Sequence, residues 1–240
     1  MKIAILGAQG LVGEALSRTL EEDIIKISRD MIDVRDTRML TSFLAKEKVD
    51  LVINCTAYVG GIEINRSKPY TMYRRNLEIS QSVLNACIAS DIGKLVEFCS
   101  NCTYPENAIQ PYKESDLLNG KPVDTNQGYA AAKIASLQAG IAAHTEYGID
   151  IFHPIPCSLY GLRDNYEIER SHFVAAAIRR IYWAVENGQE KIDFWGSGKP
   201  YREVLFADEL AGAIRKLLKS HFANQPVNIS TGVETPIKSI

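Results

Sequence analysis

No apolar run in this sequence approaches the roughly 20 residues that a membrane-spanning helix needs, which excludes an integral membrane protein of that type. An excess of either charge is missing too. Lys and Arg total 27 against 29 Asp and Glu, and a net charge of −2 offers no basic field for nucleic acid. Cysteine is sparse and odd in number, with Cys55, Cys87, Cys99, Cys102 and Cys157 scattered along the chain, which argues against a secreted disulfide framework. The apolar start from Met1 to Leu6 is broken by glycine too early for a secretory signal, so a cytoplasmic location is expected. Repeats, low-complexity tracts and linkers are absent, so nothing divides the chain into separate beads.

What remains is a chain of 240 residues, 46% apolar, able to bury a substantial core. Ile3 to Leu6 is the continuous apolar run of a parallel strand covered on both faces. Gly7-Ala-Gln-Gly10-Leu11-Val12-Gly13 follows at once and leads into a helical pattern from Leu11 to Leu20. Glycines between a strand and a helix permit a tight turn, close approach of a pyrophosphate to backbone amides, and close packing of the helix on the sheet. Ile24 to Ile27, Val49 to Cys55, Lys94 to Cys99 and Ile149 to Ile155 read as further buried strands. Helical patterns from Thr37 to Lys48, Tyr70 to Ala89 and Tyr129 to Tyr147 lie between them, with another from Asp208 to Lys219. Strand and helix in alternation predict an α/β fold, a doubly wound parallel sheet of Rossmann type.

Ser28-Arg29-Asp30 ends the second strand, where NAD-selective sites usually carry an acid for the ribose hydroxyls. Arg29 suits a 2′-phosphate instead and favours NADPH over NADH, and Asp33 is placed to accept a hydrogen bond from an adenine amine. Two loops follow strand carboxyl ends, where open α/β sheets bind ligands: Thr56-Ala57-Tyr58-Val59-Gly60-Gly61 and Ser100-Asn-Cys102-Thr-Tyr-Pro105. Tyr129-Ala-Ala-Ala-Lys133 places a phenol and an ammonium on one helical face. The cation is expected to lower the phenol's pKa and fit Tyr129 as a general acid, with Ser100 hydrogen-bonding the same substrate carbonyl. The bland reading of the pair is a tyrosine and a lysine that happen to be neighbours on a surface helix. Cys99-x-x-Cys102 has redox or half-zinc spacing, but no second pair completes a metal site.

The glycine turn, Ser100 and Tyr129-x-x-x-Lys133 together resemble the extended short-chain dehydrogenases/reductases. More narrowly, Val59-Gly-Gly-Ile62, Ser100-Asn-Cys102-Thr-Tyr-Pro105, Tyr129-Ala-Ala-Ala-Lys133, Ser171-His172 and Trp195-Gly-Ser-Gly-Lys-Pro-Tyr-Arg202 resemble the GDP-L-fucose synthase family. The resemblance spans nearly the whole chain and implies a dual NADPH-dependent epimerase and reductase acting on GDP-4-keto-6-deoxy-mannose. By it, Cys102 and His172 would invert C3 and C5 as an acid/base pair, while Ser100, Tyr129 and Lys133 support reduction at C4. It further implies Gly7, Gly10, Leu11, Val12, Gly13, Arg29, Asp33, Ala57, Tyr129, Lys133 and His172 at the cofactor. For the nucleotide sugar it implies Val59, Gly60, Asn165, Arg179, Trp195 and Arg202. A dinucleotide domain over 1–155 is expected, then a smaller substrate lobe over 156–240 with segments returning to the sheet. The resemblance also implies a homodimer through the Tyr70–Ala89 and Tyr129–Tyr147 helices; the stripe Ile134, Leu137 and Ala142 fits that contact and fits an ordinary helix-on-sheet face equally well.

The sequence departs from the family at Gln9, where an arginine for the 2′-phosphate is usual, at Asn101 and at Ser158. Family chains continue past Val227-Asn-Ile-Ser-Thr-Gly232 through further elements, so the substrate lobe is expected to be incomplete. Two other readings stay open. One is a reductase or 4-epimerase for another nucleotide sugar, and the other is a nucleotide-binding relative without turnover.

Overall fold

The computed structural model describes every residue except Ile168, Glu169, Trp195 and Phe222. From the amino end the elements are β1 (Lys2–Leu6), α1 (Leu11–Thr19), β2 (Asp23–Ile27), α2 (Thr37–Glu47), β3 (Leu51–Asn54), α3 (Ile62–Ser67), α4 (Pro69–Ala89) and β4 (Lys94–Glu97). They continue as α5 (Gln127–Tyr147), β5 (Asp150–Pro156), β6 (Ser158–Tyr160), α6 (Phe173–Glu186), β7 (Tyr201–Arg202), β8 (Val204–Phe206), α7 (Ala207–Leu217), β9 (Pro226–Ile229) and β10 (Thr235–Pro236). Six strands form one parallel sheet in the order β2-β1-β3-β4-β5-β9. The chain winds outward in both directions from β1 and β3, so the switch in winding falls between their carboxyl ends.

Helices explain why these strands are apolar without alternation. Ile3, Ala4, Ile5, Leu6, Leu51, Val52 and Ile53 are all fully buried, because both faces of the sheet are covered. On one face Leu16 of α1 packs with Leu210 and Ile214 of α7, and Arg18 pairs with Asp208 between the two helices. On the other, Leu40 and Leu44 of α2 meet Val83 and Ala86 of α4. Each such large side chain contributes about 1.5–3 kcal/mol relative to exposure. The Asp36 carboxylate caps α2 by accepting from the Met39 amide at 2.9 Å. Gly148, at φ +73°, ends α5 in the left-handed conformation.

The element boundaries agree with the sequence reading to within a residue or two, and within the stripe on α5 Leu137 takes the helix-on-sheet alternative. Leu137 is 3% exposed and sits in a core cluster with Tyr104 and Ile155, whereas Ala142 lies on the outside of α5. A period drawn through three apolar residues does not separate a helix's sheet side from its outer side. Beyond β5, β6 pairs with β8 and β7 with β10 in two small sheets, and β9 returns to the main sheet beside β5. Among the described residues, no helix is long and apolar enough to cross a membrane.

Candidate active site

The loops at the carboxyl ends of β1, β3 and β4 and the start of α5 are where the sequence placed the site, and each loop is held by a specific contact. Gly7 follows β1 at φ +73°, and a Cβ there would lie 2.9 Å from Thr56 Cγ2 and 3.2 Å from the Cys55 backbone. Gly10 is the cap of α1 and no side chain occupies its amide end, which begins at Leu11 and Val12. Gly13 lies inside α1, with space for a hydrogen only, since a Cβ would fall 2.3 Å from the Gly7 carbonyl oxygen. A bare helix N-terminus behind a glycine cradle fits a pyrophosphate. Gly13→Ala is expected to force the turn backbone apart, costing about 1–3 kcal/mol and weakening NADPH binding more than tenfold. Thermal melts and a fluorescence titration check both.

Arg29 stands exposed just after β2. Asp33 is engaged by Arg35, which donates from Nε at 2.9 Å and from a second guanidinium nitrogen, and this hydrogen bonding holds the carboxyl down at about 2 despite partial burial. The free adenine acceptor expected at Asp33 is therefore already partnered. Arg35, which the sequence reading passed over, stands with Arg29 as a second candidate for a 2′-phosphate. An Asp-Val-Arg run just past a dinucleotide strand was the available signal.

The loop after β3 is tied to α4. The Asn76 side chain accepts from the Tyr58 amide and donates to the Tyr58 carbonyl, each at 2.9 Å, and the Arg75 guanidinium lies 4.7 Å from the Tyr58 ring centre. Ala57 and Val59 are left exposed, and Gly60 is buried against Ile64.

After β4, the Ser100 side chain accepts from the Cys102 amide at 3.2 Å and opens a single turn of 3₁₀ helix, Asn101–Thr103. Asn126, just before α5, donates to Cys102 Sγ at 3.6 Å. Ser100, Cys102 and Lys133 all act electrostatically on the Tyr129 phenol, so the loop and the first turn of α5 meet there. One helical turn on, Lys133 is 6% exposed and donates from Nζ to the Phe98 carbonyl at 2.7 Å.

The electrostatics differ from the expectation in two respects. Burial raises the Tyr129 phenol by more than Lys133 and Ser100 lower it, so the phenol is neutral and loaded with its proton near neutral pH. Burial also raises the Cys102 thiol, opposed by its hydrogen bond to Ser100, so the resting species is the thiol and not a ready thiolate. Lys133 keeps its charge: burial works against the ammonium but is outweighed by Tyr129 and Glu97.

The structure does not bring every predicted residue to this point. His172 is exposed at the start of α6, and no hydrogen bond joins it to Cys102 or Tyr129 among the described residues. It acts instead on Asp164, whose carboxyl is raised by burial and lowered by an amide hydrogen bond and by His172, a neighbour the sequence reading did not identify. Asn165 accepts from the Glu167 amide at 2.9 Å, Arg179 donates to the Tyr166 carbonyl, and Arg202 in β7 donates to the Tyr201 carbonyl at 2.7 Å. Trp195 lies outside the described residues.

A family model for the NAD dependent epimerase/dehydratase family matches residues 3–230. The chain belongs to this family. Curated relatives of this epimerase/dehydratase chain include the GDP-L-fucose synthase of Escherichia coli, 34% identical over all of this chain and 78% of the relative. GDP-L-fucose synthase 1 of Arabidopsis thaliana is 36% identical over all of this chain and 75% of the relative. A GDP-L-fucose synthetase from Naegleria fowleri, solved with NADP bound, shares the fold with a TM-score of 0.86 at 24% identity, covering 96% of this chain and 77% of that one.

Proposed function

We propose that this epimerase/dehydratase family member is an NADPH-dependent enzyme that converts GDP-4-keto-6-deoxy-mannose to GDP-L-fucose by 3,5-epimerisation and 4-reduction. The observation that carries the reading is the convergence of Ser100, Cys102, Tyr129 and Lys133 from one loop and one helical turn: the Cys102 amide donates to Ser100, and Ser100, Cys102 and Lys133 all act on the Tyr129 phenol. A plain ketoreductase would have no use for a thiol beside that hydroxyl, so Cys102 with His172 favours the dual activity over simple reduction.

Gly7, Gly10, Leu11, Val12 and Gly13 would hold the pyrophosphate, and Arg29 with Arg35 the 2′-phosphate. When bound, NADPH supplies the hydride for C4. Tyr129 gives its phenolic proton to the C4 oxygen while Ser100 hydrogen-bonds that oxygen. The same polarised carbonyl acidifies the protons at C3 and C5, and Cys102 with His172 removes and returns them through an enolate. Ser100 favours thiolate character at Cys102, and closure of the α6 side brings His172 to the sugar. Residues 156–240 supply mainly the substrate lobe, with segments returning to the sheet, and Val59, Gly60, Asn165, Arg179 and Arg202 are the candidates to contact the GDP-sugar. The working form is a cytoplasmic homodimer through α4 and α5.

The test is turnover by the purified chain with GDP-4-keto-6-deoxy-mannose. Consumption of NADPH with appearance of GDP-L-fucose, at a kcat/KM at least tenfold above that with NADH, supports the reading. Nucleotide binding without consumption of this sugar would overturn it.

A further inference from the structure

A buried cluster beside Lys133 has no task in the proposed reaction. Glu97 ends β4 after the buried Leu95 and Val96 and is 4% exposed, and a carboxyl so placed is destabilising unless it is satisfied. Its oxygens are satisfied from two sides. Asn54 donates from Nδ2 at 2.7 Å, Ser136 donates from Oγ at 3.3 Å, and Lys133 Nζ stands 3.7 Å away. A shift of about 0.7 Å would bring the lysine into ordinary hydrogen-bond range.

Beyond the carboxyl is a small cavity with about 10 Å³ of space for water centres, lined in part by Glu97, Ser136, His153, Ser80 and Gln81. That is the size of one water site. His153 is 1% exposed and one ring nitrogen is bonded to the Glu97 backbone, while its Nε2 has no partner among the described residues. The space beside Nε2 exists because residue 140 is glycine, since a Cβ there would lie 2.7 Å away. An unpaired imidazole nitrogen, a hydroxyl and a carboxyl around one water-sized volume make a hydration site, and exposed Gln81 connects its lining to the outside of α4.

We propose that Glu97 is the proton relay of the Tyr129–Lys133 pair, refilled by an internal water held between Glu97, Ser136 and His153. The inference rests on Tyr129 being the acid of the reduction. After Tyr129 gives its proton to the substrate oxygen, the Lys133 ammonium reprotonates the phenolate and is left as an amine. Glu97, in its protonated form, passes its proton to that amine, restoring the ammonium and becoming a carboxylate. The carboxylate takes a proton from the cavity water, which is replenished from solvent on the Gln81 side. One solvent proton enters for each carbonyl reduced, and no oxidant or reductant beyond the hydride donor is needed. Burial raises the Glu97 carboxyl, with Lys133, Asn54 and Ser136 acting against it, which suits a group that must carry a proton. The other titratable groups acting with Glu97 are Cys55, Cys87, Cys99 and His153. The thiols are held neutral by burial and the imidazole is pushed down to about 4.

Glu97→Gln keeps the shape and hydrogen-bonding capacity but cannot pass a proton. The rate of NADPH oxidation in a single turnover, in which Tyr129 starts loaded, is expected to stay within twofold of the parent, while steady-state kcat falls at least tenfold. His153→Gln, which leaves the Glu97 carboxyl in place and changes the imidazole beside the water, is expected to lower kcat threefold or more with the same unchanged single turnover, and it decides the matter if Glu97→Gln fails to fold. Equal losses in both rates would assign the cluster to packing and overturn the relay, as would parental kcat. Tyr129→Phe run alongside separates the two proposals: if it turns over normally, the assignment of the acid fails, whatever Glu97 does.

His153 also carries a stability prediction. The folded imidazole stays neutral down to about 4 against an ordinary 6.5, so only the unfolded chain gains a proton between those values. Stability is therefore full above the ordinary value and is lost as pH falls toward 4. Urea titrations across that range check it, and His153→Gln should flatten the dependence.

Discussion

Tyr129→Phe is expected to lower reductive kcat by about a thousandfold, within the range general acid catalysis supplies, while leaving NADPH affinity within threefold. The variant removes a single oxygen from a partly exposed ring at the first turn of α5, so the helix and the cradle at Gly7 and Gly13 are untouched. What is lost is the phenolic proton beside Ser100, which burial holds on the ring. Rapid-mixing absorbance at the nicotinamide band measures kcat, and a fluorescence titration measures affinity. A loss under tenfold would mean that another group, or water, delivers the proton.

Lys133→Met is expected to be the most damaging substitution to activity and fold together. It removes a donor from the Phe98 carbonyl and the cation from beside the buried Glu97 carboxyl. Breaking such a pair from one side costs about 3–5 kcal/mol. Part is recovered when Glu97, already raised by burial and now without its cation, holds its proton in the folded state. A raised carboxyl loses stability as pH climbs through its folded value, so the deficit should shrink toward acid pH and grow toward alkaline pH. Adding Glu97→Gln should return about 1–3 kcal/mol of stability, as coupled neighbours do, with kcat remaining at least a hundredfold down. Denaturant melts of the single and double variants across pH read this out. A deficit that does not vary with pH would mean that Glu97 and Lys133 are not linked in the folded state.

The fold was legible because parallel strands and their helices write distinct patterns. Ile3 to Leu6 and Leu51 to Ile53 are apolar throughout since both faces are covered, and the glycines at 7 and 13 answer to backbone approaches that only glycine permits. The spacing of Tyr129 and Lys133 was legible for the same reason: one helical turn fixes it. Groups that meet only through the fold were not. Glu97, Ser136 and His153 come from three elements and converge behind the lysine. The single hint was a carboxylate and an imidazole inside otherwise apolar strands. The pKa directions at Tyr129 and Cys102 were misjudged because sequence spacing registers the neighbouring cation but not the burial that outweighs it.

The central claim is that one carbonyl-holding site performs both epimerisation and reduction. The measurement that tests it most directly is NMR analysis of the product formed from GDP-4-keto-6-deoxy-mannose and NADPH in deuterated water. The account predicts GDP-L-fucose carrying solvent deuterium at both C3 and C5, with Cys102→Ser greatly diminishing the label. NADPH consumed with no deuterium at either carbon would contradict it and leave a simple 4-ketoreductase.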